Sequence, residues 1–218
     1  MGTDIRSTGR RDLLLGVGLA AFFAVGLAGH LLPGTRPSML RLTPLALLVT
    51  AGVVAVPIVE ERRVGVAAWA AAAFVIGYAI EAAGVATGLV FGRYAYGPVL
   101  GPKLFGVPLV IGLNWPLVVL GAVTLAMRFV DNAPAAAVVA GALSAGFDRV
   151  LEPFAVSAGY WAWQSDSIPV QNSVAWFLIA SLIAWAFTWR RLFVRSPLPS
   201  VAIAIQLLFF ILLRILAA

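Results

Sequence analysis

Seven apolar runs, each close to the length of a bilayer-crossing helix, follow one another with only short polar breaks. They are Leu13–Leu32, Leu42–Val59, Val64–Val85, Val107–Met127, Pro134–Leu151, Ser173–Trp189 and Val201–Leu216. A helix needs about 20 residues to cross the hydrocarbon core of a bilayer. The breaks are PGTRPS (33–38), EERR (60–63), GRYAYGPVLGPK (92–103), RFVDNAP (128–134), QSDSIPVQN (164–172) and RRLFVRSPLP (190–199). With 62% hydrophobic and 11% charged residues, the chain carries too few polar groups to cover itself in water, where about one quarter charged is usual. The expectation is an all-α integral membrane protein of about seven transmembrane helices, with residues 1–218 forming a single polytopic domain in the lipid bilayer.

The net charge of +6 does not point to nucleic acid, which requires a continuous basic patch. Here the basic residues sit in short groups between apolar runs, where they set topology. With the amino terminus inside, the inner segments hold nine: Arg6, Arg10, Arg11, Arg62, Arg63, Arg128, Arg190, Arg191 and Arg195. The outer segments hold five: Arg36, Arg41, Arg93, Lys103 and Arg214. The expected orientation is therefore amino terminus cytoplasmic and carboxyl terminus outside. GRRDLLLGVGL resembles the start of a twin-arginine export signal, but its apolar run is long and lacks a small-x-small cleavage site, so a retained first helix is expected. Without cysteine, thiolate chemistry is excluded. One histidine, His30, makes a histidine metal site improbable, and an interfacial side chain is its expected role.

The nine acidic residues are scarce enough that their placement carries information. Asp148, Arg149 and Glu152 follow an apolar helical run and precede the aromatic stretch YWAW. Setting residue n beside n + 67 aligns Glu81 with Asp148, Gly92 with Gly159, Tyr94-Ala95-Tyr96 with Trp161-Ala162-Trp163, and Pro102 with Pro169. The pattern reads as a parallel internal repeat, helices 3–4 and 5–6, with each aromatic loop on the same side of the membrane. Asp148 and Glu152, four apart, share a helix face. Three carboxyls can then converge beneath two aromatic loops.

A charge within a bilayer costs at least about 2.5–3.5 kcal/mol near the centre, so intramembrane acids are functional candidates. The alternative is an ion pair, Glu81 with Arg149 or Arg93, that locks helices. Carboxyls in an apolar pocket can donate a proton at one point and activate water at another, and aromatic faces stabilise a passing cation. This combination fits protonation of an isoprenoid double bond followed by capture of water. The chain has no phosphate loop, no aspartate-rich magnesium motif and no cluster of metal ligands, so the chemistry calls for no cofactor.

Three segments carry a family resemblance: EAAGVATGLVFGRYAYGPVLGPKLFGVPLVIGLNW (81–115), FDRVLEPFAVSAGYWAW (147–163) and, more weakly, IPVQNSVAW (168–176). Together they resemble the CruF-type carotenoid 1,2-hydratases, integral membrane proteins of carotenoid biosynthesis. The third segment departs from the family pattern at Ser167, Ser173 and Ala175. The resemblance implies addition of water across the terminal 1,2 double bond of an acyclic carotenoid, whether lycopene-like, γ-carotene-like or a bacterioruberin precursor. On this reading Asp148 and Glu81 divide the roles of proton donor and water activator, in either order, with Glu152 as a third catalytic carboxyl or its partner. Arg93, Tyr94, Tyr96, Asn114, Trp115, Arg149, Trp161, Trp163 and Asn172 are the expected substrate-binding residues. Competing roles stand beside these: an interfacial anchor for Arg93, a membrane-interface belt for the aromatics, and helix capping or interhelical hydrogen bonding for the asparagines.

A proton-coupled transporter is the main rival, because it too uses intramembrane acids and internal repeats. Another isoprenoid-modifying enzyme shares the cation chemistry. A purely structural subunit would tolerate Asp148→Asn and Glu81→Gln. A retinal receptor needs a lysine in its last helix, and the single lysine is Lys103.

Overall fold

A computed structural model describes residues 2–216 and, from residue 9 onward, their side chains; Arg6 lies outside the latter. All seven apolar runs form helices. They are α1 (Gly2–Leu31), α3 (Thr43–Glu60), α4 (Val64–Thr87), α5 (Ile111–Ala126), α6 (Ala133–Ser157), α7 (Val170–Trp189) and α8 (Leu198–Leu216). A short α2 (Arg36–Arg41) occupies the break after α1. Six of the seven long helices are long and apolar enough to cross a membrane. Lipid-facing side chains such as Val25, Val75 and Leu182 are more than half exposed, as expected where the solvent is hydrocarbon.

The seventh, α5, departs from expectation in an informative way. It has 16 residues, a length of about 24 Å, and packs against α3, α4, α6, α7 and α8. Trp115, Val119, Ala122 and Val123 on it are 0% exposed. It is the central post of the bundle. Its expected first turn is instead used by a small hairpin, β2 (Lys103–Leu104) with β3 (Val107–Pro108), so α5 starts only after the loop has come back to the bundle.

Local sequence explains the other boundaries. Asn132 caps α6, its side chain accepting the Ala135 N–H at 2.9 Å, which satisfies a donor that the first turn leaves free. Gly88 ends α4 in the left-handed conformation, φ 69°, which only glycine adopts cheaply. α6 runs past the expected end at Leu151 to Ser157 and tolerates Pro153 within its last turns. Asp148, Arg149 and Glu152 therefore lie inside a helix and not at its end.

At the amino-terminal end of the bundle, Arg11 pairs with Asp12 and Glu60, Arg63 pairs with Glu61 at 2.8 Å, and the Arg63 guanidinium stands 4.0 Å over the Phe193 ring. These contacts gather the start of α1, the α3–α4 turn and the α7–α8 segment on one face. His30, in the last turn of α1, does not face outward. It is buried, its Nδ1 lies 2.7 Å from the Gly26 carbonyl oxygen, and its ring meets Phe154 and Phe209 edge-on. A one-histidine chain gives no periodicity from which this burial can be read.

Two strands close the opposite face: β1 (Tyr94–Tyr96) pairs antiparallel with β4 (Trp161–Trp163). The register sets Ala95 opposite Ala162, two residues 67 apart, as a twofold relation between the two loops requires. α6 and α7 make the most intimate helix pair. At Gly141 an added Cβ would run into Ser181 Oγ and stand 2.7 Å from the Phe177 carbonyl oxygen, whereas at Gly146, one and a half turns on, nothing lies within 4 Å. Gly141→Ala is therefore expected to destabilise the protein by about 1–3 kcal/mol through overpacking. Gly146→Ala should be neutral or stabilise by up to about 1 kcal/mol through helix propensity. Thermal unfolding of the two variants in detergent checks both.

Candidate active site

Strand geometry explains the spacing of the YAY and WAW stretches. Residues two apart on a strand project to the same face, so Tyr94 and Tyr96 point one way together, as do Trp161 and Trp163, while both alanines face outward. The antiparallel pairing sets Tyr94 against Trp163, with ring centroids 5.0 Å apart, and Tyr96 against Trp161 at 5.8 Å. Four aromatic rings thus roof one end of the bundle. Beneath them, α4 supplies Glu81, α6 supplies Asp148 and Glu152, and α7 supplies Asn172, all buried.

Each side chain of the roof reaches down to an acid. The hydroxyls of Tyr94 and Tyr96 donate to Glu81 Oε2 at 2.5 and 2.9 Å. The indole N–H groups of Trp161 and Trp163 both donate to Glu152 Oε2 at 3.0 Å. Asn172 Nδ2 donates to Asp148 Oδ2 at 2.7 Å and to Glu152 Oε1 at 3.2 Å. Burial first, and then the neighbouring Glu81 carboxyl, push both tyrosine hydroxyls well above their ordinary range; they stay protonated and remain donors. The Lys103 ammonium donates to the Tyr96 carbonyl oxygen and ties the roof to the β2–β3 hairpin.

The sequence alignment pairs Glu81 with Asp148, but the bonding pairs Glu81 with Glu152. Glu81 precedes its two tyrosines by 13 and 15 residues, and Glu152 precedes its two tryptophans by 9 and 11. The difference is four residues, about one helical turn. The link from α6 to β4 is shorter than the link from α4 to β1, so the acid that meets the roof is set one turn closer to it in sequence. Asp148 is then the additional acid, one turn deeper.

One cavity of about 30 Å³ lies among these groups and is lined by Glu81, Asp148, Glu152, Tyr94, Tyr96, Asn114, Trp161, Trp163 and Asn172. The structure thus brings together nine of the twelve expected site residues. Three are placed elsewhere. Arg149 is exposed, because the residue next to Asp148 is turned about 100° around the helix. Arg93 is also exposed; its backbone carbonyl accepts the Gln164 N–H at 2.9 Å while its side chain stays outside the roof. Neither arginine pairs with the acids. Trp115 stands behind the cavity wall, 0% exposed, stacked on Trp176 with centroids 4.1 Å apart; its Nε1 is turned towards Glu81 yet has no hydrogen-bond partner.

Phe91, Ile111, Leu151 and Trp176 also line the cavity and were not expected from the sequence. Helical spacing was an available signal for two of them: Leu151 lies three residues from Asp148, and Trp176 four from Asn172. No ion pair among the described residues reaches Glu81, Asp148 or Glu152. Among those residues no group of three or more histidine, cysteine or acidic side chains is arranged to hold a metal. The acids are satisfied by neutral donors alone.

The family model described as carotenoid biosynthesis protein matches residues 42–218. The chain is also similar to the bisanhydrobacterioruberin hydratase of Haloarcula japonica, 31% identical over 168 residues, which is 71% of this chain and 57% of that protein. It therefore spans a little over half the length of that relative. No solved structure matches it.

Removing one roof donor leaves a buried carboxyl short of a partner, so Tyr96→Phe should cost about 1–3 kcal/mol in stability. Arg93→Gln and Arg149→Gln, both on exposed side chains, should stay within about 0.5 kcal/mol of wild type. Thermal melting in one detergent separates the two classes; a large loss at either arginine would contradict their outward placement.

Proposed function

Since the chain belongs to the carotenoid biosynthesis protein family, we propose that it is a carotenoid hydratase that adds water across the terminal double bond between C1 and C2 of an acyclic carotenoid end group. The observation that carries this reading is the set of three buried carboxyls, with unequal numbers of hydrogen-bond donors and no ion pair among the described residues, in a cavity roofed by aromatic rings. The similarity to bisanhydrobacterioruberin hydratase makes a bacterioruberin precursor the first substrate to consider.

The hydrogen bonds distribute the roles. Glu152 accepts three donors through both oxygens, a pattern that suits a carboxylate fixed in place. Glu81 accepts two through Oε2, and its Oε1 receives none among the described residues. Asp148 accepts one, through Oδ2. As the acid with the fewest donors, Asp148 is the one best placed to carry a proton. Asp148 protonates C2, and the positive charge appears at the tertiary carbon C1. Glu81 takes a proton from water as the water oxygen bonds to C1. The product is a tertiary alcohol; one proton has left Asp148 and one has reached Glu81, and its return to Asp148 resets the site. Glu152 and Asn172 position Asp148. The faces of the four roof rings stabilise the cation before water arrives. A cavity of about 30 Å³ has room for one water.

Depth favours chemistry over transport. Glu81 lies six residues from the end of α4, and Asp148 and Glu152 lie nine and five from the end of α6, about 8–14 Å along the axis. Glu81 and Glu152 thus sit towards one face with Asp148 nearer the middle, and no further acid continues the row until the ion-paired group at the amino-terminal end of the bundle. With the amino terminus cytoplasmic, the roofed face is the outer one.

Expression in a lycopene-producing bacterium, followed by pigment extraction and mass spectrometry, tests the proposal. Wild type should yield pigment heavier by one or two waters, and Asp148→Asn and Glu81→Gln should each lower the yield by about 10²-fold or more, the usual worth of an acid or base. Hydration undiminished in Asp148→Asn would remove that residue as donor. Unchanged lycopene, γ-carotene and bacterioruberin precursors with well-folded wild type would remove the hydratase reading.

A further inference from the structure

The cavity at the carboxyls is far too small for a carotenoid, but it does not stand alone. Ile111, Asn114, Leu151 and Trp161 on its wall also line a second cavity of about 50 Å³. Five residues of that second cavity, Thr43, Leu47, Tyr160, Gln206 and Phe210, in turn line a third of about 190 Å³. The third is enclosed by α1, α3 and α8, and its walls are almost wholly aliphatic and aromatic. On its rim Val25, Leu42 and Leu45 are exposed, on a surface that meets lipid. Three cavities with shared walls therefore run from a lipid-facing cleft between α1 and α3 to the acids.

We infer that this row of cavities seats the long isoprenoid chain of the substrate, with the reacting end group at the carboxyls and the remainder passing Tyr160 towards the lipid. The inference rests on the hydratase reading for which end reacts, but the seat itself is argued from shape and lining. A long, apolar, methyl-branched polyene matches a row of cavities whose walls are mainly apolar. It would not need to leave the bilayer to enter one that opens sideways into hydrocarbon. Thr43 Oγ1 and Tyr160 Oη lie 2.5 Å apart where the second and third cavities share walls. One of the two hydroxyls donates to the other, which turns polar atoms at the junction towards each other and leaves mainly ring and aliphatic surface for a passing chain. Burial pushes the Tyr160 hydroxyl up to about 12, so it is a neutral phenol at ordinary pH.

Binding can be read without turnover. The Asp148→Asn protein, purified in detergent from lycopene-producing cells, should retain lycopene measurable by its visible absorbance. Ala46 lines the third cavity only, and Ala46→Trp in the Asp148→Asn background should lower the retained pigment about tenfold or more. Gly26→Leu plugs the same cavity from α1, where an added carbon meets only Phe209 at 3.7 Å, and should do likewise if Ala46→Trp protein fails to fold. Leu178→Trp, on the lipid-facing surface of α7, should leave the pigment unchanged. Equal pigment in the plugged and unplugged proteins, or none in the Asp148→Asn protein, overturns the seat. Failure of the hydratase reading shows separately, as bound lycopene that wild type never hydrates.

Discussion

Three carboxyl groups held inside a membrane-spanning bundle without an ion-pair partner among the described residues are the constraint on which the rest of the structure depends. Each would cost several kcal/mol if left unsatisfied in hydrocarbon. The protein meets that cost with neutral donors: two phenols, two indoles and one amide. An arginine would have been a simpler partner, but it would hold an acid ionised and unable to give a proton. Neutral donors satisfy the acids without pinning them in the ionised form, which is what the proposed hydration would need of a proton donor. The two arginines nearest in sequence, Arg93 and Arg149, are turned outward.

The donors can reach the acids only because irregular backbone enters the site. In a bilayer, unpaired backbone is tolerated only where protein covers it or a polar cavity meets it. β1 and β4 solve this by pairing with each other, so their amides are satisfied while their aromatic side chains point down. Gly97 shows how tight this closure is: its N–H donates to the Tyr160 carbonyl oxygen at 2.8 Å, and an added Cβ there would collide with the Gly159 carbonyl oxygen. The buried α5 then forms the wall behind the acids, and Gly77 of α4 gives Trp115 the space to stack on Trp176.

Much of this was legible in the sequence. Apolar length fixed the helices, since lipid burial leaves little alternative. The echo of YAY in WAW identified the roof, because strand alternation demands that spacing. What stayed hidden depended on tertiary packing. The pairing of the two loops is a long-range contact that no local pattern encodes. The match of Glu81 to Glu152 required knowing the lengths of the links to the strands. α6 runs on through Pro153 to Ser157, where a proline beside charged residues reads locally as a stop. The arginines were misplaced because neighbours in sequence diverge by about 100° on a helix.

The central claim is that a proton resides on Asp148 in the resting cluster, and infrared spectroscopy of the purified protein in detergent addresses it most directly. The account predicts a carbonyl-stretch band of a protonated carboxylic acid at neutral pH, shifted in heavy water, absent from Asp148→Asn and still present in Glu152→Gln. A spectrum with no such band, or a band that survives in Asp148→Asn, would contradict it.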